Sequence, residues 1–162
     1  MAEVKSLYVA KLEPESGVSL VVLGLLEMLR RRTDRVGYFE VIEDDSDHEA
    51  FDRLVEQRFG IARGREFEIG ATRSEVNAAL RSGRREGLRS LVLERFSSLR
   101  DRSDFVLCRG TNYQEASSFE FEINAGLARD LGAPVLLVAS ASSGVTSGSL
   151  PVKAAMITDR RP

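Results

Sequence analysis

Apolar and polar positions along the chain sort into short apolar runs separated by longer stretches of helical period. Residues 6–10 form the first run, centred on Leu7-Tyr8-Val9-Ala10, and the turn residues Glu13-Pro14-Glu15-Ser16-Gly17 follow it. A short, continuously apolar run fits a strand buried on both faces, as in a parallel sheet. From Ser19 the chain reads Leu20-Val21-Val22-Leu23-Gly24-Leu25-Leu26-Glu27-Met28-Leu29 and then Arg30-Arg31-Arg32. That length and that basic end predict a largely buried helix with cations at its C-terminus. Apolar runs at 35–42, 104–108 and 134–139 predict three more strands.

Helical signals fill the intervals. Phe51, Leu54, Val55 and Phe59 recur at helical spacing and Gly60 stops them. Residues 61–70 read as a loop or irregular crossover. Thr72-Arg73-Ser74-Glu75 is a capping box, in which the hydroxyl and the carboxylate each satisfy a free backbone N–H. It opens a helix to Leu80, closed by Ser82-Gly83. Leu88, Leu91, Val92, Phe96 and Leu99 mark one face of a helix over 84–99, and Ser117-Ser118-Phe119-Glu120 opens another, ending at Leu131-Gly132. Strands alternating with helices predict a three-layer α/β/α domain with a mainly parallel sheet. This domain is assigned residues 1–139. Residues 140–162 begin Ser/Gly-rich and read as a tail, or as a truncated remainder of the same domain, with a weak edge-strand signal at 152–158.

Composition narrows the function classes. With 162 residues, 43% hydrophobic and 30% charged, the chain suits one globular domain with a real core. A net charge of -2 and a pI near 5.6 argue against a nucleic-acid binder. The arginines Arg81, Arg84, Arg85, Arg89, Arg95, Arg100 and Arg102 therefore read as a solvated face or a protein-partner surface. One cysteine, Cys108, and one histidine, His48, exclude a disulfide framework and a His-based zinc site. Cys108 ends an apolar strand and reads as a buried, inert thiol, and His48 as a helix-start residue. The acidic residues from Glu43 to Asp52 lack the glycine and spacing of a calcium loop and fit a helix N-terminus. No apolar run approaches the roughly 20 residues of a membrane span, so the expected address is the cytosol.

The first strand, its turn and the following helix have the layout of a phosphate-binding loop. In such a loop backbone N–H groups wrap the phosphates, a lysine reaches the terminal ones, and a hydroxyl holds magnesium. Here Ser16, Gly17, Val18 and Ser19 align with that pattern at Gly17 and Ser19. Val18 stands where the lysine belongs, and Leu12 where the first glycine belongs. Glu13 and Glu15 add negative charge to a loop built for anions. Lys5, Lys11 and Lys153 are the only lysines, and none follows the turn at the required place.

Several segments in order carry a resemblance. They are residues 7–10 with Glu13-Pro14, Ser16-Gly17 and Ser19-Leu20-Val21; Gly24-Leu25-Leu26-Glu27; Val36-Gly37-Tyr38-Phe39; Arg58-Phe59-Gly60; Gly110-Thr111; and residues 119–125 and 131–138. This set resembles the N-terminal domain of long bacterial phosphate acetyltransferases, itself similar to dethiobiotin synthetase. The resemblance implies a P-loop NTPase-like fold and a role in metabolite regulation and oligomer assembly, with acetyl transfer carried by a separate C-terminal domain. It also implies a vestigial nucleotide or anion site at Ser16, Gly17, Val18, Ser19, Gly110 and Thr111. The departures fall at the chemistry. Beside the missing lysine, Glu40 stands for a lysine after the second strand, and Arg109 for a glutamate before Gly-Thr. Glu13, Glu40 and Arg109 are thus crevice charges, expected to form a salt bridge or, failing that, a ligand site. The leading expectation is a non-catalytic regulatory or interaction module with no catalytic residue and no metal, which self-associates, binds a protein partner, or weakly binds a small metabolite. The alternative is an ATP-dependent enzyme of the dethiobiotin synthetase kind, with ATP and magnesium at the Gly17–Ser19 turn and at Thr111.

Overall fold

In a computed structural model, the described residues are 5–12, 17–43, 48–111, 117–139 and 155–157. Chain order is β1 (Ser6–Lys11), α1 (Val18–Arg30), β2 (Val36–Ile42), α2 (His48–Phe59), β3 (Phe67–Ala71), α3 (Arg73–Ser82), α4 (Arg85–Asp101), β4 (Phe105–Arg109), α5 (Ser117–Asp130), β5 (Val135–Val138) and β6 (Ala155–Ile157). The strands form one sheet in the order β3-β2-β4-β1-β5-β6. Five are parallel, and β6 joins β5 antiparallel.

Period-2 patterning separates two cores, one on each face. Tyr8, Phe39, Val41, Val106 and Cys108 pack with Val76, Val92, Phe96, Leu99 and Ala128 from α3, α4 and α5 and with Leu131 just past the end of α5. On the other face Val9, Val36, Tyr38 and Leu107 meet Val22 and Leu26 of α1 and Val55 and Phe59 of α2. The three layers and the mainly parallel sheet are those the sequence predicts.

Two expectations are corrected. The stretch 61–70 is not all loop, because Phe67–Ala71 forms β3 at the sheet edge. Its Glu and Gly weaken strand propensity, and pairing with β2 overrides that. The edge is partly closed by Arg95, which donates to the Gly70 carbonyl at 3.1 Å and pairs with the capping-box Glu75 at 3.0 Å. Helix α1 is also less buried than its sequence predicts. Val22 and Leu26 are sealed in, but Leu20 is 76% and Met28 54% exposed. The capping box at Thr72 and Glu75 forms as expected.

Topology fixes where a ligand would sit. The connection leaving β1 carries α1 to one face and toward β2, whereas the connection leaving β4 carries α5 to the other face and toward β5. Adjacent strands whose connections diverge leave a crevice at their C-terminal ends, the usual ligand position in open α/β sheets.

Candidate functional site

The crevice lies where β1 runs out toward the Gly17 turn and β4 ends at Arg109. Gly17 has φ 69°, a left-handed conformation that suits glycine, and it caps α1 without any side-chain hydrogen bond. Its carbonyl accepts from Leu20 and Val21 N–H at 3.0 and 3.3 Å. Val18 and Ser19 form the first turn of α1, which contains no acidic residue. Glu13 and Ser16 lie outside the described residues.

Arg109 belongs to both neighbouring strands by register, opposite Val9 of β1 and Glu40 of β2. It shares the α1–α2 face with Leu107, because side chains alternate along a strand. There its Nη2 donates to Ser19 Oγ at 3.3 Å, and its guanidinium carbon lies 4.8 Å from the centroid of the Phe51 ring. The second contact is a cation–π geometry. Glu40, almost fully buried, sits on the same face as Arg109 and Tyr38. Burial pushes the Tyr38 phenol above its ordinary pKa; the positive charge of Arg109 opposes that shift, and the negative charges of Glu40 and Asp52 add to it. Arg109, Glu40 and Asp52 thus act on one buried hydroxyl, and Phe51 packs 6.2 Å from its ring. The inverted charges named from sequence at 40 and 109 are brought together with Ser19.

Gly110 and Thr111 have a different explanation. A Cβ on Gly110 would fall 2.5 Å from Asn124 Oδ1, 2.8 Å from the Tyr8 ring and 3.1 Å from the Val9 carbonyl. The glycine is required by close packing. Thr111 is buried, and its N–H donates to Asn124 Oδ1 at 2.9 Å, which also accepts from the Tyr8 hydroxyl at 2.7 Å. The Thr111 hydroxyl itself is buried and makes no hydrogen bond among the described residues.

Other candidates take structural places. Cys108 is buried, and burial raises its thiol pKa, so a reactive thiolate is disfavoured. Two members of the acidic run, Glu43 and Asp52, are both bound by Arg63, at 3.0 and 3.1 Å. Residues 44–47 and the side chains of His48 and Glu49 fall outside the described set. Among the described residues no cluster of His, Cys, Asp and Glu is placed to hold a metal, and no helix is long and apolar enough to cross a membrane. Sequence reasoning missed Phe51, Tyr38 and Asn124. Only Asn124 left a trace, a polar residue one and two turns before the buried Ala128 and Leu131.

Comparison with known sequences fixes the family. The profile of the family described as "AAA domain" matches residues 5–160. The chain belongs to that family. It is 33% identical over 149 residues to a phosphate acetyltransferase of Synechocystis sp., covering 90% of this chain and 21% of that protein. It is 32% identical over 139 residues to a phosphate acetyltransferase of Nitratidesulfovibrio vulgaris, covering 83% of this chain and 20% of that protein. The chain therefore spans about a fifth of the length of these curated relatives and corresponds to their N-terminal region. A P-loop NTPase-like α/β fold agrees with both the topology and the family.

Proposed function

We propose that this chain is a non-catalytic regulatory or interaction module with a degenerate nucleotide site. The observation that carries the reading is the Arg109 guanidinium on the Ser19 hydroxyl. A P-loop hydroxyl at this place would ligate magnesium, and a metal dication there would stand beside a fixed cation. The lysine that grips terminal phosphates is Val18, a loss of one charge-assisted contact of about 1.5–3 kcal/mol. Glu40 lies in register beside Arg109, so the crevice carries its own opposite charges where a nucleotide and its metal would bring theirs. The residues present do not fit MgATP.

In this reading the acetyl transfer named in the relatives belongs to the rest of their length, and this segment acts in the cytosol through protein contacts, self-association or weak metabolite binding. A second reading, an ATP-dependent enzyme of the dethiobiotin synthetase kind, is favoured by one observation, the buried Thr111 hydroxyl without a hydrogen bond among the described residues. Thermal melting of the purified chain against ATP, with and without magnesium, tests the proposal. A ligand that binds only the folded state raises the melting temperature by mass action. The proposal predicts no magnesium-dependent shift at millimolar nucleotide. A clear shift accompanied by release of inorganic phosphate favours the second reading.

A further inference from the structure

We propose that the corner between α3 and α4 is a docking surface for an acidic segment of a partner protein. Residues 80–87 are exposed without interruption. They contain Arg81, Arg84 and Arg85 around Leu80, which is 41% exposed. Of the seven arginines between 81 and 102, four are matched by carboxylates. Arg89 pairs with Asp130 at 2.6 Å, Arg95 with Glu75 at 3.0 Å, Arg100 with Asp101 at 3.6 Å and Arg102 with Glu68 at 3.3 Å. Among the described residues Arg81 and Arg85 form no ion pair, and the Arg84 side chain donates to the Ser82 hydroxyl, at 3.0 Å, and to no carboxylate. The basic face suggested by the sequence therefore contracts to three like charges within five residues.

The placement works against the free helix. Arg84 stands at the N-cap of α4 without a side-chain capping hydrogen bond, Arg85 is the first helical residue, and Glu86 is the acidic residue of that first turn. That end of a helix favours negative charge. Helix α3 next to it carries a complete capping box, so the chain uses good capping where it serves the fold. Arg81 ends α3, where the dipole favours a cation, whereas Arg84 and Arg85 stand at the opposite kind of helix end. Glu86 beside them faces Arg89 at 3.9 Å, so the three guanidinium groups form no ion pair among the described residues and complement acidic groups from outside. A guanidinium fork takes a carboxylate in a bidentate pair, and arginine is enriched among the residues that carry interface binding energy. The occupant favoured here is an acidic peptide segment with one apolar side chain for Leu80. A nucleic acid is disfavoured because the arginines farther along α4 are paired and residues 80–91 contain no aromatic ring for a base to stack on. A membrane is disfavoured because Leu80 alone makes no apolar face.

This inference deepens the interaction half of the proposed function and is independent of the crevice, so nucleotide titration and the test below fail separately. Fluorescence anisotropy is measured with a short, labelled peptide rich in Asp and Glu and bearing one leucine. The native chain is compared with Arg81→Glu/Arg84→Glu/Arg85→Glu and with the milder Arg81→Gln/Arg85→Gln. Circular dichroism and melting temperature report whether each variant folds. A single-stranded oligonucleotide of equal charge and phosphatidylserine vesicles run in parallel. The proposal predicts salt-sensitive peptide binding, weakened at least about tenfold by the charge reversal, by less in the glutamine variant, and further reduced by Leu80→Ser. Absence of peptide binding overturns it, as does equal binding by folded variants. Tighter binding of the oligonucleotide or the vesicles also overturns it.

Discussion

The end of β4 presents two faces that have been treated differently. On one, Gly110 lies against Tyr8 and Asn124, and Asn124 Oδ1 collects the Tyr8 hydroxyl and the Thr111 N–H. These buried donors are satisfied by the chain itself, and the residues are those the resemblance leads one to expect at 110 and 111. On the other face, one residue earlier, Arg109 reaches Ser19 and Phe51 beside Glu40. There the expected charge signs are reversed. In the reading proposed above, a strand end keeps its architectural face while its ligand face changes, because side chains alternate and each face answers to a different constraint.

The contrast breaks most readily on the architectural face. Asn124→Leu removes the acceptor of two buried donors at once. Leaving a buried donor unsatisfied costs about 1–3 kcal/mol, so urea denaturation should show a loss of about 2–5 kcal/mol. Gly110→Ala should cost about 1–3 kcal/mol by overpacking against Asn124 and the Tyr8 ring. If both changes were neutral, the network would not be what holds Thr111 in place.

Arg109→Ala should be milder. The hydrogen bond to Ser19 and the cation–π contact with Phe51 together contribute about 1 kcal/mol at a half-buried site. A loss as large as that of Asn124→Leu would make Arg109 an architectural residue and erase the distinction between the faces. At the α3–α4 corner the sign is opposite. Arg84→Asp supplies a missing N-cap and should raise stability by about 1 kcal/mol in the same denaturation measurement.

The smallest effect is a pH dependence. Hydrogen bonding to Arg95 and to the Thr72 N–H holds the Glu75 carboxyl below its ordinary pKa of 4.5. A lowered folded pKa means stability that is present above pH 4.5 and is lost as pH falls through the folded value. Glu75→Gln should flatten that acid limb and leave the neutral-pH slope unchanged. An unchanged acid limb would place the sensitivity on other carboxylates.

Much of this was legible in the amino-acid order. The apolar runs at 6–10, 35–42, 104–108 and 134–139 are strands because burial on both faces leaves an unmistakable pattern. The reversed signs at Glu40 and Arg109 were visible only through the resemblance, which implies a lysine and a glutamate there; Glu40 lies inside β2, which runs on to Ile42. β3 was not legible, because Glu68 and Gly70 hide a strand that exists through its pairing with β2. Neither was the partnership of Arg109 with Phe51, which depends on how α2 lies over the sheet and leaves no trace in local spacing. The open side of α1 escaped for the same reason: an apolar helix looks buried until its neighbours are placed.

The most direct measurement is calorimetric titration of MgATP into the native chain and into Val18→Lys/Arg109→Glu, which returns the ammonium to the turn and removes the guanidinium from Ser19. The account predicts negligible heat for the native chain and an affinity gain of at least about tenfold for the double variant, as expected from one recovered charge-assisted contact. Micromolar binding by the native chain, or no gain in a folded double variant, would contradict it.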